Sequence, residues 1–129
     1  VTENELKSLA GALGFKVIVA EREEDLYINK VHGVTSYSAY ISPSTAEIGV
    51  SGTLPPDDRM EALAHEVGHA LQWRDGAYSV GTDPIKHFNC EMDAIKRAEE
   101  LLGKKMYRNY WANYHGYMDR LGLDHMGRS

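Results

Sequence analysis

The chain of 129 residues has one cysteine, Cys90, only four prolines and two phenylalanines, and no apolar run as long as a membrane-spanning helix. A single cysteine excludes an internal disulfide and suits a reducing compartment. The missing apolar run excludes a transmembrane helix, and no segment reads as a signal peptide. A cytoplasmic address is therefore expected, whether the protein is cellular or phage-borne. Basic residues number 14 against 19 acidic ones, and the net charge of −5 argues against a broad nucleic-acid surface. The short basic cluster Lys104, Lys105 and Arg108 reads as a solvated helix start. Repeats, low-complexity segments and interdomain linkers are lacking as well. With 43% hydrophobic residues the chain can bury one core, and its length fits a single domain over residues 1–129.

Periodicity places the elements. Leu6, Leu9, Ala10 and Leu13 mark a first amphipathic helix closed by Gly14, and residues 15–20 follow as a strand. Residues 25–29 read as a second strand. Residues 37–42 and 47–51 alternate around Pro43-Ser44-Thr45, which signals a hairpin. Helices are expected over 56–73, from Pro84 to about Leu102, and over 105–121. The order α-β-β-β-β-α-α-α gives an α+β fold, with a small, mostly antiparallel twisted sheet packed beside the helix of 56–73.

What is present is concentrated in that helix. His65-Glu66-Val67-Gly68-His69 is an HExxH motif. Its two imidazoles lie just over one turn apart, so they share a helix face and can hold one metal ion between them. Neutral imidazole is a good zinc ligand, and a carboxylate beside a zinc-bound water is a good base. By chance a chain of this composition would carry the motif in roughly one shuffle in fifty, so context must support it. The motif lies inside an amphipathic helix, beside the stripe Met60, Leu63, Ala64, Val67 and Leu71. Gly68 costs about 1 kcal/mol against Ala in a helix interior, which implies that a backbone or a substrate passes close to it.

A catalytic zinc takes three protein ligands and leaves one position open. In the helix begun by Asp83-Pro84, the apolar stripe is Phe88, Met92, Ile95, Ala98 and Leu102. Glu91 sits at its edge, one turn before Ile95, where a carboxylate would be half-buried and in need of a partner. The partner is a metal ion, or else Lys86 or Lys96 on the same helix. Cys90 points about 100° away from Glu91 and is expected to be a packed thiol.

The segment HEVGHALQ, followed by a helix starting Glu91-Met92-Asp93-Ala94 and containing Ala98, Glu100, Leu101 and Leu102, resembles the ImmA/IrrE family of zinc peptidases. The resemblance covers about the middle third of the chain. It implies a zincin-like fold and makes Glu91 the third zinc ligand beside His65 and His69. Ile95 stands where the family pattern carries Asn. A rival, metzincin-like pattern would take Asp75, six residues after His69, as the third ligand, but its turning glycine is Gln72 here.

The expected activity is zinc-dependent hydrolysis of peptide bonds in a protein or peptide substrate, with Glu66 as general base. The resemblance extends the substrate to a regulator such as a repressor. An oxyanion donor is sought among Tyr107, Tyr110, Tyr114 and His115, with His115 the first choice because it lies off the aromatic stripe that also holds Trp111 and Met118. His32, His87 and His125 receive no role. An edge strand, 48–51 or 37–41, is expected to pair with the substrate. The competing functions are a zinc amidase acting on a cell-wall peptide and a non-catalytic zincin-fold binding protein.

Overall fold

A computed structural model describes residues 1–32, 38–79 and 83–106, the side chain of His32 excepted. Over these residues the chain is a small α+β structure with four α-helices and a three-stranded mixed sheet. No helix among them is long and apolar enough to cross a membrane.

Helix α1, Glu3–Ala12, begins on a capping box: Thr2 Oγ1 accepts from the Glu5 amide, and the Glu5 carboxylate accepts from the Thr2 amide. Leu6 and Ala10 face inward, and Glu3 ties the helix to Arg59 at 2.6 Å. Strand β1 is Lys16–Ala20. The strand expected over 25–29 is not formed. A 3₁₀ turn, Glu23–Asp25, leads instead into helix α2, Tyr27–His32. Asn29 donates to the Glu23 carbonyl at 2.7 Å and closes this turn, while Leu26 is buried with Ala20 and Tyr40. Tyr27 and Val31 are exposed, so two buried residues, Leu26 and Asn29, rather than an alternating face, anchor the segment.

Strands β2, Ala39–Ser42, and β3, Glu47–Ser51, form the expected hairpin. The sheet differs from the expectation of mostly antiparallel pairing, because β3 also pairs in parallel with β1, in the order β1-β3-β2. The crossover that a parallel pair requires is supplied by the chain between β1 and β3, which includes α2 and β2. Strand β3 is therefore the centre, and among the described residues β2 and β1 are the edges. Ser51 N–H donates to the Ser38 carbonyl, so along the ladder Ser38, Tyr40 and Ser42 turn their backbone groups toward β3. Ala39 and Ile41 turn theirs to the open edge.

Helix α3, Pro56–Asp75, has Pro at its first position and Asp57 and Asp58 in the first turn, where carboxylates complement the helix dipole. It ends at Gly76, whose φ of 73° is left-handed, with Ala77 N–H bonded back to the Gln72 carbonyl. Every residue from Glu61 to Ala70 is buried, because α3 packs against β2, β3, α1 and α4 together. Helix α4, Pro84–Leu102, starts on Asp83, whose carboxylate accepts from the amides of Ile85 and Lys86. Leu6, Phe15, Ile48, Leu63, Val67, Ile95 and Ala98 form the main core.

Candidate metal centre

The motif helix places His65 and His69 with their rings edge to face, centroids 4.8 Å apart. Gly68 lies between them on the side facing α4. A Cβ there would come 2.6 Å from the Ala94 carbonyl oxygen, so only glycine lets α4 approach this closely. The backbone expected near Gly68 is that of α4. One turn before Ala94, Glu91 reaches across the gap: its Oε2 lies 2.8 Å from His65 Nε2 and 3.1 Å from His69 Nε2. Its side chain is 13% exposed and is paired with two imidazoles of the neighbouring helix.

These three residues bring their ligand atoms within 4.8 Å of one another. For metal bonds of about 2.0–2.1 Å, a tetrahedral ion separates its ligand atoms by about 3.3 Å, close to the two measured His–Glu separations. The donor set of two imidazoles and one carboxylate fits zinc.

The electrostatics show what holds the cluster without a metal. Burial disfavours charge on His69, but its contacts with Cys90 and Glu91 and the nearby charge of Glu66 outweigh that and push its pKa up to about 11. Burial likewise opposes ionisation of Glu91, yet hydrogen bonds from His65 and His69 hold it well below the usual carboxylate range. A buried carboxylate here keeps its charge only with a cation beside it, either a protonated imidazole or a metal ion. A divalent ion would take the place of the proton.

Glu66 is 8% exposed on the same side of α3. Burial raises its pKa, opposed by the two imidazoles and reinforced by Glu91. Asp75 is not brought to the imidazoles. It ends α3, exposed, with its carboxylate 2.8 Å from both Arg74 Nε and Arg97 Nη1, and those guanidiniums lower its pKa to about 2. Tyr107, Tyr110, Tyr114, His115 and His125 lie outside the described residues, as does the helix expected over 105–121 apart from Lys105 and Met106, which are not helical.

Two residues at the site were not singled out for it from the sequence. The Tyr78 ring stands edge-on to His69, at 5.3 Å, and to Trp73, at 6.1 Å. Burial, with the negative charges of Glu66 and Glu91, pushes the Tyr78 pKa up to about 12, so its phenol stays a donor. No periodicity marks it, because it lies in the loop after α3. Gln72, fully buried, accepts from His69 Nδ1 at 2.8 Å and donates to the Cys90 carbonyl and the Asp93 carboxylate, each at 2.8 Å. Cys90 is a packed thiol, as expected, and donates to Gln72 Oε1 at 3.2 Å. No protein-family model, no curated protein and no solved structure matches the chain.

Proposed function

We propose that this protein is a zincin-like, zinc-dependent peptidase in which His65, His69 and Glu91 hold the metal and Glu66 is the general base. The observation that carries the reading is the single Glu91 oxygen set against both motif imidazoles, with the Glu66 carboxyl buried alongside. Zinc bound there supplies Lewis acidity and brings the pKa of a water toward about 7. Glu66 accepts the proton of the attacking water and passes it to the departing amine. The Tyr78 phenol donates to the carbonyl oxygen as that oxygen gains charge. The substrate backbone pairs with the outer edge of β2, where Ala39 and Ile41 present their donors and acceptors beside the strand pair on which α3 packs. The substrate class is a protein or peptide with an extended segment, and the ImmA/IrrE resemblance favours a regulatory protein.

Metal content by mass spectrometry, on wild type, Glu91→Ala and Asp75→Ala, tests the site. About one zinc per chain is expected in wild type and Asp75→Ala, with loss in Glu91→Ala. Zinc-loaded wild type is then assayed on a peptide library beside Glu66→Gln. Loss of zinc from Asp75→Ala alone would move the reading to the metzincin-like ligand set. Zinc bound without hydrolysis of any peptide would favour a binding protein over an enzyme.

A further inference from the structure

We infer that Gln72 is the residue that sets His69 in its metal-binding tautomer, and that Asp93 and the Cys90 carbonyl set Gln72. The inference rests on the metal reading above and deepens it. A glutamine amide has a donor end and an acceptor end, and the surroundings of Gln72 decide which way it lies. Its Nε2 faces two acceptors, the Cys90 carbonyl and Asp93 Oδ2, both at 2.8 Å. Turning the amide over would set an oxygen against the buried Cys90 carbonyl, where the lost hydrogen bond would not be replaced by water, and a second oxygen–oxygen contact against the partly exposed Asp93 carboxylate. Oε1 is thereby fixed toward His69 Nδ1, at 2.8 Å, with the Cys90 thiol donating to the same oxygen.

An acceptor fixed against Nδ1 requires a proton on Nδ1. In the neutral ring this tautomer leaves Nε2 without a proton, its lone pair on the side of Glu91. The opposite tautomer would aim a lone pair at the Gln72 oxygen and a hydrogen into the metal position. Partners of this kind fix the tautomer and ring orientation of metal-bound histidines in general.

The chain of contacts continues outward. Asp93 Oδ2 also accepts from Arg97 Nε at 2.8 Å, and Arg97 Nη1 donates to Asp75 at 2.8 Å. Arg97 thus braces Asp93, and the exposed C-terminal end of α3 is tied to the ring of His69 through the side chains of Arg97, Asp93 and Gln72. The position that a metzincin pattern gives to glycine is occupied here by the residue that orients the ligand.

The test is zinc affinity of the full chain by competition with a chelator, together with ¹H–¹⁵N spectra of the histidine rings in the zinc-loaded protein. The expected result is an Nδ1-bound, slowly exchanging His69 proton in wild type. Gln72→Leu, and Gln72→Met with its unbranched stem, are expected to lose that slow proton and bind zinc about 10–100-fold more weakly. Gln72→Glu combined with Asp93→Asn keeps an oxygen against His69 and restores the contact between the two side chains, but leaves the Cys90 carbonyl without its donor, so it is expected to bring back the slow His69 proton and to recover only part of the affinity. Wild-type affinity in folded Gln72→Leu or Gln72→Met would overturn the positioning role, as would a proton on His69 Nε2 in zinc-loaded wild type, which needs no variant. Failure of wild type to bind zinc at all would overturn the peptidase reading and this inference with it, an outcome separate from the first two.

Discussion

The two buried sides of α3 obey different rules. Toward α1 and the sheet it presents Leu63, Ala64, Val67 and Ala70, packed with Leu6, Phe15 and Ile48. On the opposite side it presents His65, Glu66, His69 and Gln72, next to Cys90, Glu91 and Asp93 of α4. The apolar side is held by contact area, which is non-directional and tolerates repacking. The polar side is held by hydrogen bonds between particular atoms, so the placement of α4 relative to α3 decides whether Glu91 and Gln72 meet their partners. The apolar side builds the platform, and the polar side uses it.

Substitutions on the two sides should therefore fail in different ways. The largest effect is expected from Glu66→Gln, which alters no ligand: zinc content is unchanged while turnover falls by about 10²–10⁴. Equal loss of zinc and activity in this variant would place Glu66 among the ligands and break the division of roles. Leu63→Ala on the apolar side should cost about 2–5 kcal/mol in urea unfolding, with one zinc per chain kept in the folded fraction.

Gly68→Ala probes the border between the sides. Helix propensity favours alanine by about 1 kcal/mol, but the new methyl meets a backbone oxygen at 2.6 Å, and overpacking costs about 1–3 kcal/mol. Net destabilisation is expected, with weakened zinc affinity as α4 and Glu91 are pushed away. A stabilised variant with normal zinc binding would show that close helix approach is not what positions Glu91.

Proton linkage separates the sides by pH. The raised pKa of His69, about 11, makes its contribution to metal-free stability complete below about 6.5 and progressively lost as pH rises toward 11. The lowered pKa of Glu91 makes its contribution present above about 4.3 and lost as pH falls below that value. Zinc binding displaces protons and strengthens as pH rises. The Tm difference between zinc-loaded and metal-free protein should therefore widen from pH 6 to 8, and a constant difference would mean that His69 is already neutral without metal. The smallest effect is expected from Asp75→Ala, which leaves zinc stoichiometry unchanged. The Asp75 ion pairs hold above about pH 4 and weaken as pH falls toward the lowered value of about 2, so wild type and Asp75→Ala should converge in stability only in that acid range.

How much was legible beforehand follows the range of the interactions. The first helix, the hairpin and both long helices were readable because caps and periodicity are local: Asp83 caps the helix that Pro84 begins, and Gly76 ends the one that Pro56 begins. Residues 25–29 misled because a run this short also suits a turn and short helix anchored by two buried residues, Leu26 and Asn29. Parallel pairing of β1 with β3 left no trace in either strand, since register depends on the chain between them. Tyr78 was missed because loops carry no period.

By itself the sequence determined that His65 and His69 share one helix face, since helical geometry alone brings residues four apart together. It determined the bounds of the helix that carries Glu91 for the same reason. Only the tertiary structure decided that Glu91 meets both imidazoles, that Gln72 holds His69, and that β2 rather than β3 offers the open edge. Each of these depends on how closely separate elements pack, and at the His65–His69–Glu91 cluster that distance is set by the missing side chain of Gly68 against the backbone of Ala94.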